Sequence, residues 1–353
     1  MNTRRIQLIY KILKNTQLNT SLLKYVNNRL AWLHVNKRKT TVIPYPTGIM
    51  LELGNRCNLH CKMCAREFEY GKEMNQGFMK LEDAIKIVNE ILPYLDSIGL
   101  TGLGETFMYP HMLELVKYIK SKKRNIIITV STNAHFKGFL ENIIPTLPYI
   151  DNIQFSIDGT DKIYEYIRPN TDFNFITENI KTILREAKDT VFMTNTVIMQ
   201  ENLNNLHDIV EYAYNLGIRN INFNQMNLAA MPQEDITKYN LYTSENYKSE
   251  IGRIEEFKKK YPDVNITGLS IQKKSGFRQC PYTWHHQYIT WDGYLVPCCT
   301  IPFPKLSNFG NVLKDGVLNS LNSKASQQFR KAWIENAHPA FCSRCTYINL
   351  YDK

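Results

Sequence analysis

An α/β fold on a parallel sheet is what this sequence predicts, and three observations carry the prediction. Six short apolar, β-branched runs alternate with stretches of helical periodicity through the middle of the chain. Several of those runs are apolar almost throughout, the pattern of strands covered on both faces. The Cys-, Gly-, Ser- and Asn-bearing motifs each stand immediately after a run, and parallel barrels keep their chemistry at the C-terminal ends of their strands.

The strands are predicted at 49–53, 97–101, 126–131, 152–157, 191–199 and 220–225. Helices are predicted between them at 81–95, 110–122, 138–146, 173–188 and 203–216, the last stopped by Gly217, a favourable C-terminal cap. Ahead of the sheet, 5–15 and 20–34 read as amphipathic helices; Ile6, Ile9, Tyr10 and Leu13 share one stripe. Behind it, 226–275 is irregular apart from a helical stretch near 244–260. Residues 288–296 then read as a hairpin turning on Asp292-Gly293, and a helix follows at 321–335. The expected organisation is a basic helical segment at 1–45, a barrel at 46–225, a bridge at 226–279 and a small hairpin-and-helix region at 280–353.

Composition narrows the function. The 353 residues, 43% hydrophobic, suffice for one large and one small domain. No apolar run approaches the roughly 18 residues of a membrane span, and residues 1–20 do not read as a signal peptide. Nine of the Lys and Arg residues precede the first acid, Glu52, so the net charge of +10 is concentrated there and the remainder is nearly neutral. Such a basic arm suits a membrane surface or an anionic substrate, or is a solvated face on helices that cap the barrel. The eight cysteines fall in three tight groups, which points to metal rather than disulfides and to a reducing cytoplasm.

Cys57, Cys61 and Cys64 form a C-x3-C-x2-C run directly after the first strand. Three thiolates on one loop suit an iron–sulfur cluster better than zinc, which takes four ligands in structural sites; a zinc knuckle or plain buried thiols is the bland alternative. A cubane on three cysteines keeps one iron open to a ligand. With this run stand Gly102-Leu-Gly-Glu-Thr106, Ser131-Thr-Asn133 and Ser156-Ile-Asp-Gly159, each at a strand end.

On these residues the chain, from about Pro46 onward, resembles the radical SAM superfamily. The resemblance implies an incomplete (β/α)6 barrel of TIM type. It also implies a [4Fe-4S] cluster on Cys57, Cys61 and Cys64 whose open iron chelates S-adenosyl-L-methionine. Leu103 and Thr106 depart from the usual Gly and Pro. By resemblance, Met63 backbone meets adenine, and Gly102, Gly104 and Glu105 line the methionine amino group. Ser131, Asn133, Ser156 and Asp158 approach the ribose side, while Asn195 and Arg168 contact ribose and carboxylate. A guanidinium fork matches a carboxylate; the plain alternative for Arg168 is a solvated helix-end arginine.

Cys280, Cys298, Cys342 and Cys345, with Trp291-Asp-Gly293, Gly310-Asn311 and the final C-x2-C, resemble the C-terminal extension called SPASM in its short twitch form. That form carries a second, auxiliary [4Fe-4S] cluster; four cysteines also make an ordinary zinc site. Leu321 stands where the extension often has Trp. Cys299 is left over, either a small apolar bystander or a hydrogen-atom donor to a substrate radical. The family implies a flavodoxin- or ferredoxin-type electron donor and a 5′-deoxyadenosyl radical. The expected substrate is a small hydroxylated metabolite of sugar, nucleotide-sugar or aminocyclitol type, which is oxidised or epimerised. A peptide maturase is the alternative, although 1–45 is shorter and more basic than the usual leader-binding domain. A zinc-stabilised, nucleic-acid-binding adaptor is the non-enzymatic alternative.

Overall fold

The computed structural model describes residues 39–42, 45–231, 241–269, 280, 282, 284 and 286–345. The predicted helices at 5–15 and 20–34 lie outside them. All six predicted strands form: β1 (Gly48–Leu51), β2 (Ser97–Gly99), β3 (Ile127–Thr132), β4 (Asn152–Ser156), β5 (Val191–Val197) and β6 (Asn220–Asn224). They pair in sequence order, every pair parallel. Helices α1 (Leu81–Ile91), α2 (Met112–Lys122), α3 (Phe139–Ile143), α4 (Asp161–Ile167), α5 (Phe173–Glu186) and α6 (Leu206–Asn215) fill the crossovers. This is the partial (β/α)6 barrel expected from the motifs.

Each helix buries one stripe against the outer face of the sheet. In α1 the stripe is Ala84, Ile87, Val88 and Ile91, spaced by three and four residues, which puts them on one side. It joins Leu51, Ile98, Ile128, Val130, Ile153 and Phe155 in one continuous core. Asp172 caps α5 by accepting from the backbone of Asn174 (2.8 Å) and Phe175 (3.1 Å). The alternate strand positions, Ser131, Gln154, Ser156, Asn195 and Asn222, are half-buried and Asn224 is exposed. A central strand with wet side chains is covered by helices on one face only, so this second face is the open interior.

Three strands not read from the sequence in this role extend the sheet to nine. β7 (Asn265–Thr267) pairs parallel with β6, so part of the expected irregular bridge belongs to the sheet. The bridge's helix, α7, runs Glu245–Lys260. The predicted hairpin forms as β8 (His286–Ile289) and β9 (Leu295–Val296), and Gly293 takes the φ of +86° that its tight turn needs. β8 also pairs parallel with β1, Met50 opposite Tyr288, so the hairpin is a continuation of the barrel sheet. The predicted helix at 321–335 is two pieces, α8 (Val317–Leu321) and α9 (Lys324–Ile334). Leu321 is buried in the core where the extension often places Trp. Arg330 of α9 is buried and holds the chain at Thr40 and Leu321 through their carbonyls, each 2.5 Å away.

Candidate radical and cluster site

The loop after β1 is packed down from every side. Gly104 lies so close that a Cβ there would stand 2.4 Å from the Gly54 carbonyl and 2.6 Å from that of Arg56; only glycine allows the approach. The Glu105 N–H donates to the Arg56 carbonyl (2.9 Å) and the Lys62 N–H to Ile167 (3.1 Å). Asn58 donates to the His135 carbonyl. Cys57, Cys61 and Cys64 are thereby gathered at one strand end, where each thiol feels the charge of another.

Burial pushes all three thiols up, Cys61 to about 11. The bare loop therefore holds protonated sulfur at neutral pH, and a cationic metal must displace those protons. The surroundings suit an anionic cluster. Asn133 Nδ2 lies 3.7 Å from Cys57 Sγ, and Arg168 Nη1 lies 3.6 Å from Cys61 Sγ. Arg66, buried just past Cys64, has Nε and Nη1 without a hydrogen-bond partner among the described residues, and its charge bears on Cys57 and Cys64. Its nearest carboxylate, Glu67, is 3.7 Å away. A buried cation with idle N–H groups beside three thiols matches sulfide and thiolate acceptors. Arg66 was not singled out by sequence; a cation following the third cysteine is the signal that was there.

Several expected contacts are committed to the protein itself. Glu105 is buried; its Oε1 accepts from Thr132 Oγ1 (2.7 Å) and Phe107 N (3.2 Å), its Oε2 from Asn133 N (2.8 Å). It locks the end of β2 to that of β3. Arg168 is no solvated helix-end arginine. It is buried, with Nε (2.8 Å) and Nη2 (2.5 Å) both on Asp158 Oδ2. Burial depresses the guanidinium, but the Asp158 carboxylate overrides this and holds it above its ordinary value. Asp158 Oδ1 accepts from Val197 N (2.6 Å), tying α4 to β5.

Ser131 and Asn195 meet elsewhere. Gln154 Oε1 accepts from Ser131 Oγ (3.0 Å) and from Asn195 Nδ2 (2.6 Å). Asn195 Oδ1 accepts from Asn222 Nδ2 (3.1 Å), and Asn222 Oδ1 from Thr267 Oγ1 (2.7 Å). One row of hydroxyls and amides thus crosses β3 to β7 on the open face. Ser156 shares that face. Met63 borders an apolar cluster containing Met199, Met226 and Met231. Gln154, Asn222, Thr267 and the methionines escaped the sequence analysis, because polar strand residues and scattered methionines form no local motif.

The second cysteine set converges from three distant segments. Cys280, Cys298, Cys342 and Cys345 line one small cavity, walled by Ala229, Phe329, Trp333 and Phe341. Four soft thiols in an apolar cage suit a fully ligated cubane. Among the described residues no His, Cys, Asp or Glu group converges tightly enough for a single ion. Cys299 stands outside the cavity lining, near Cys298, Cys345 and Cys280, and burial pushes its thiol up to about 12.

Such a barrel with an open three-cysteine loop and a caged four-cysteine set defines an iron–sulfur enzyme with two cluster sites. Residues 51–213 match the family model of the Radical SAM superfamily, and residues 280–346 match SPASM, the iron-sulfur cluster-binding domain. The chain belongs to the radical SAM superfamily and carries a C-terminal SPASM domain; its cofactors are S-adenosylmethionine and [4Fe-4S] clusters. The zinc reading and the adaptor built on it fall with this.

The chain is 23% identical over 327 residues to the tungsten-containing aldehyde ferredoxin oxidoreductase cofactor-modifying protein of Pyrococcus furiosus, covering 86% of this chain and 88% of that one. It is 24% identical over 294 residues to the sporulation killing factor maturation protein SkfB of Bacillus subtilis, covering 81% of this chain and 66% of that protein. The fold resembles that of Streptococcus suis SuiB bound to its precursor peptide SuiA, at a TM-score of 0.66 and 13% identity, covering 94% of this chain and 76% of SuiB.

Proposed function

We propose that this enzyme removes a hydrogen atom from a C–H bond of a small, uncharged, hydroxyl-rich metabolite, which is then oxidised or epimerised. Cys57, Cys61 and Cys64 hold the first cluster; Cys280, Cys298, Cys342 and Cys345 hold the auxiliary one. Bound together, the first cluster and S-adenosylmethionine would supply one-electron chemistry capable of hydrogen-atom abstraction.

The chain's own residues position and shield. Backbone at Gly102 and Gly104 lines the methionine amino group, and the Met63 backbone meets adenine above the Met199–Met226 patch. Asn133 and Ser156 stand toward the ribose, whereas Ser131 and Asn195 belong to the amide row and both oxygens of Asp158 are taken by Arg168 and Val197. Arg168, fixed by Asp158, presents Nη1 to the carboxylate beside Cys61. Cys299, protonated by burial, carries a hydrogen atom it can give to a substrate radical.

The observation that carries the substrate class is the row Ser131–Gln154–Asn195–Asn222–Thr267. It offers donors and acceptors in alternation and no charge, a match for hydroxyls and a poor match for phosphate. The expected anionic substrate rested on the basic arm, which lies outside the described residues. A relative of near-equal length that modifies a cofactor supports a small-molecule substrate. The peptide reading has its own support in SkfB, a maturation protein by name. No helix of the described residues is long and apolar enough to cross a membrane, which accords with a cytoplasmic enzyme drawing electrons from a flavodoxin or ferredoxin.

The test is anaerobic, with dithionite and S-adenosylmethionine. Uniformly deuterated glucose and myo-inositol are compared with deuterated unstructured peptides, and deuterium is sought in 5′-deoxyadenosine. Label from a polyol, at least tenfold above the peptides, is the expected result. Label from peptides alone overturns the substrate class, and absence of deoxyadenosine overturns the whole reading.

A further inference from the structure

Glu52 is the second-last residue before the Gly-Asn-Arg-Cys run and is fully buried, yet none of the cluster or cofactor roles above uses it. Its carboxylate is shared by three segments. Oε1 accepts from the backbone N–H of Leu103 (2.9 Å) and from the hydroxyl of Tyr288 (2.9 Å). Oε2 accepts from the backbone N–H of Trp291 (3.2 Å). Its own N–H donates to the Ile289 carbonyl (2.9 Å). One side chain thus joins β1, the Gly102–Glu105 turn after β2, and the first arm and the turn of the hairpin that leads into Cys298.

The junction has no slack. A Cβ on Gly102 would stand 2.4 Å from Glu52 Cγ, so the turn rests directly on the carboxylate stem. Leu103, the departure from the family's usual glycine, reaches the other way and packs with Ala65, Phe303 and Cys298 in a separate apolar cluster. Tyr288 is buried on β8 and lies within electrostatic reach of Cys299. Any shift of Gly102–Leu103 therefore moves the Glu52 carboxylate, and through Tyr288 and Trp291 it moves the hairpin between the auxiliary ligands.

We propose that Glu52 is a positioning residue that couples the two cluster sites: S-adenosylmethionine seated on the Gly102–Gly104 turn is felt at the auxiliary cluster through Glu52, Tyr288 and Trp291. The proposal rests on the reading that this turn lines the methionine end of the cofactor. Coupling of this kind is reciprocal, so the state of the auxiliary cluster also alters cofactor affinity.

The experiment uses the full chain with both clusters loaded, checked by iron content, in wild type, Glu52→Gln and Tyr288→Phe. Glu52→Gln keeps the shape but turns an amide N–H₂ toward donors; Tyr288→Phe removes one hydrogen bond and tests the same link more gently. S-adenosylmethionine binding is measured by equilibrium dialysis, and the auxiliary cluster by its EPR signal and midpoint potential with and without the cofactor. The wild type is expected to show a cofactor-induced shift in the auxiliary signal, and both variants to lose it at equal iron content while still binding the cofactor. A shift of the same size in loaded Tyr288→Phe, or no shift in a wild type that binds the cofactor, overturns the coupling. A wild type that binds no S-adenosylmethionine overturns instead the reading on which it rests. If Glu52→Gln does not load, Tyr288→Phe alone decides.

Discussion

The two cysteine sets are built on opposite plans. Cys57, Cys61 and Cys64 come from one eight-residue stretch on one strand end, with Asn133 and Arg168 turning N–H groups toward them and the charge of the buried Arg66 bearing on two of them. Cys280, Cys298, Cys342 and Cys345 come from segments far apart in sequence and meet inside a wall of Phe, Trp and Ala. A polar, three-ligand site leaves room for a reactive ligand, while an apolar, four-ligand cage excludes one. The contrast supports our proposal that the first set carries the chemistry and the second moves electrons.

Cysteine replacement breaks the comparison most severely. Cys61→Ala is expected to abolish 5′-deoxyadenosine formation, a loss of at least a thousandfold, with iron falling from about eight to about four per chain. Cys342→Ala is expected to remove the same amount of iron but to leave cofactor cleavage measurable, now uncoupled from product. Equal loss of cleavage in both variants contradicts the division of labour; iron analysis and chromatography of deoxyadenosine decide it.

Arg66 sharpens the contrast, since among the described residues no Lys or Arg lines the apolar cage. Arg66→Met removes a buried charge with two idle N–H groups, so the cluster-free protein should gain roughly 1 kcal/mol or more. The loaded protein should lose: without the cation, the midpoint potential of the first cluster moves negative while the auxiliary one stays put. Thermal unfolding of the apoprotein and redox titration of the holoprotein report the two signs separately.

The smallest effect is on pH. Cys61 rises from the ordinary 9.0 of a thiol to about 11 in the fold, because burial disfavours the thiolate. The unfolded chain loses its proton first, so stability present below about pH 9 drains away up to about pH 11. A melting temperature of the apoprotein that falls across this window, and a flatter profile in Cys61→Ala, are the expected results.

What was legible in the sequence divides along the same line. The first site could be read because three thiols, a strand and a turn are contiguous, and the six strands because buried parallel strands are written as apolar runs. The pairing of β8 with β1 was not legible: Tyr288 and Met50 are 238 positions apart, and no local pattern states which edge a hairpin will join. The amide row was hidden for the same reason, since Gln154 and Asn222 become neighbours of Asn195 only when the sheet assembles. Arg168 stood out in the sequence as a carboxylate partner, but its pairing with Asp158 emerged only from the turn of α4.

β1 lies between β2 and β8, and β8 is synthesised only after all seven parallel strands that precede it in the chain. A nascent chain that has reached the end of β7 holds a nearly finished sheet with one raw side, its backbone N–H and C=O groups facing water. Truncations before residue 286 should thus be prone to edge-to-edge aggregation.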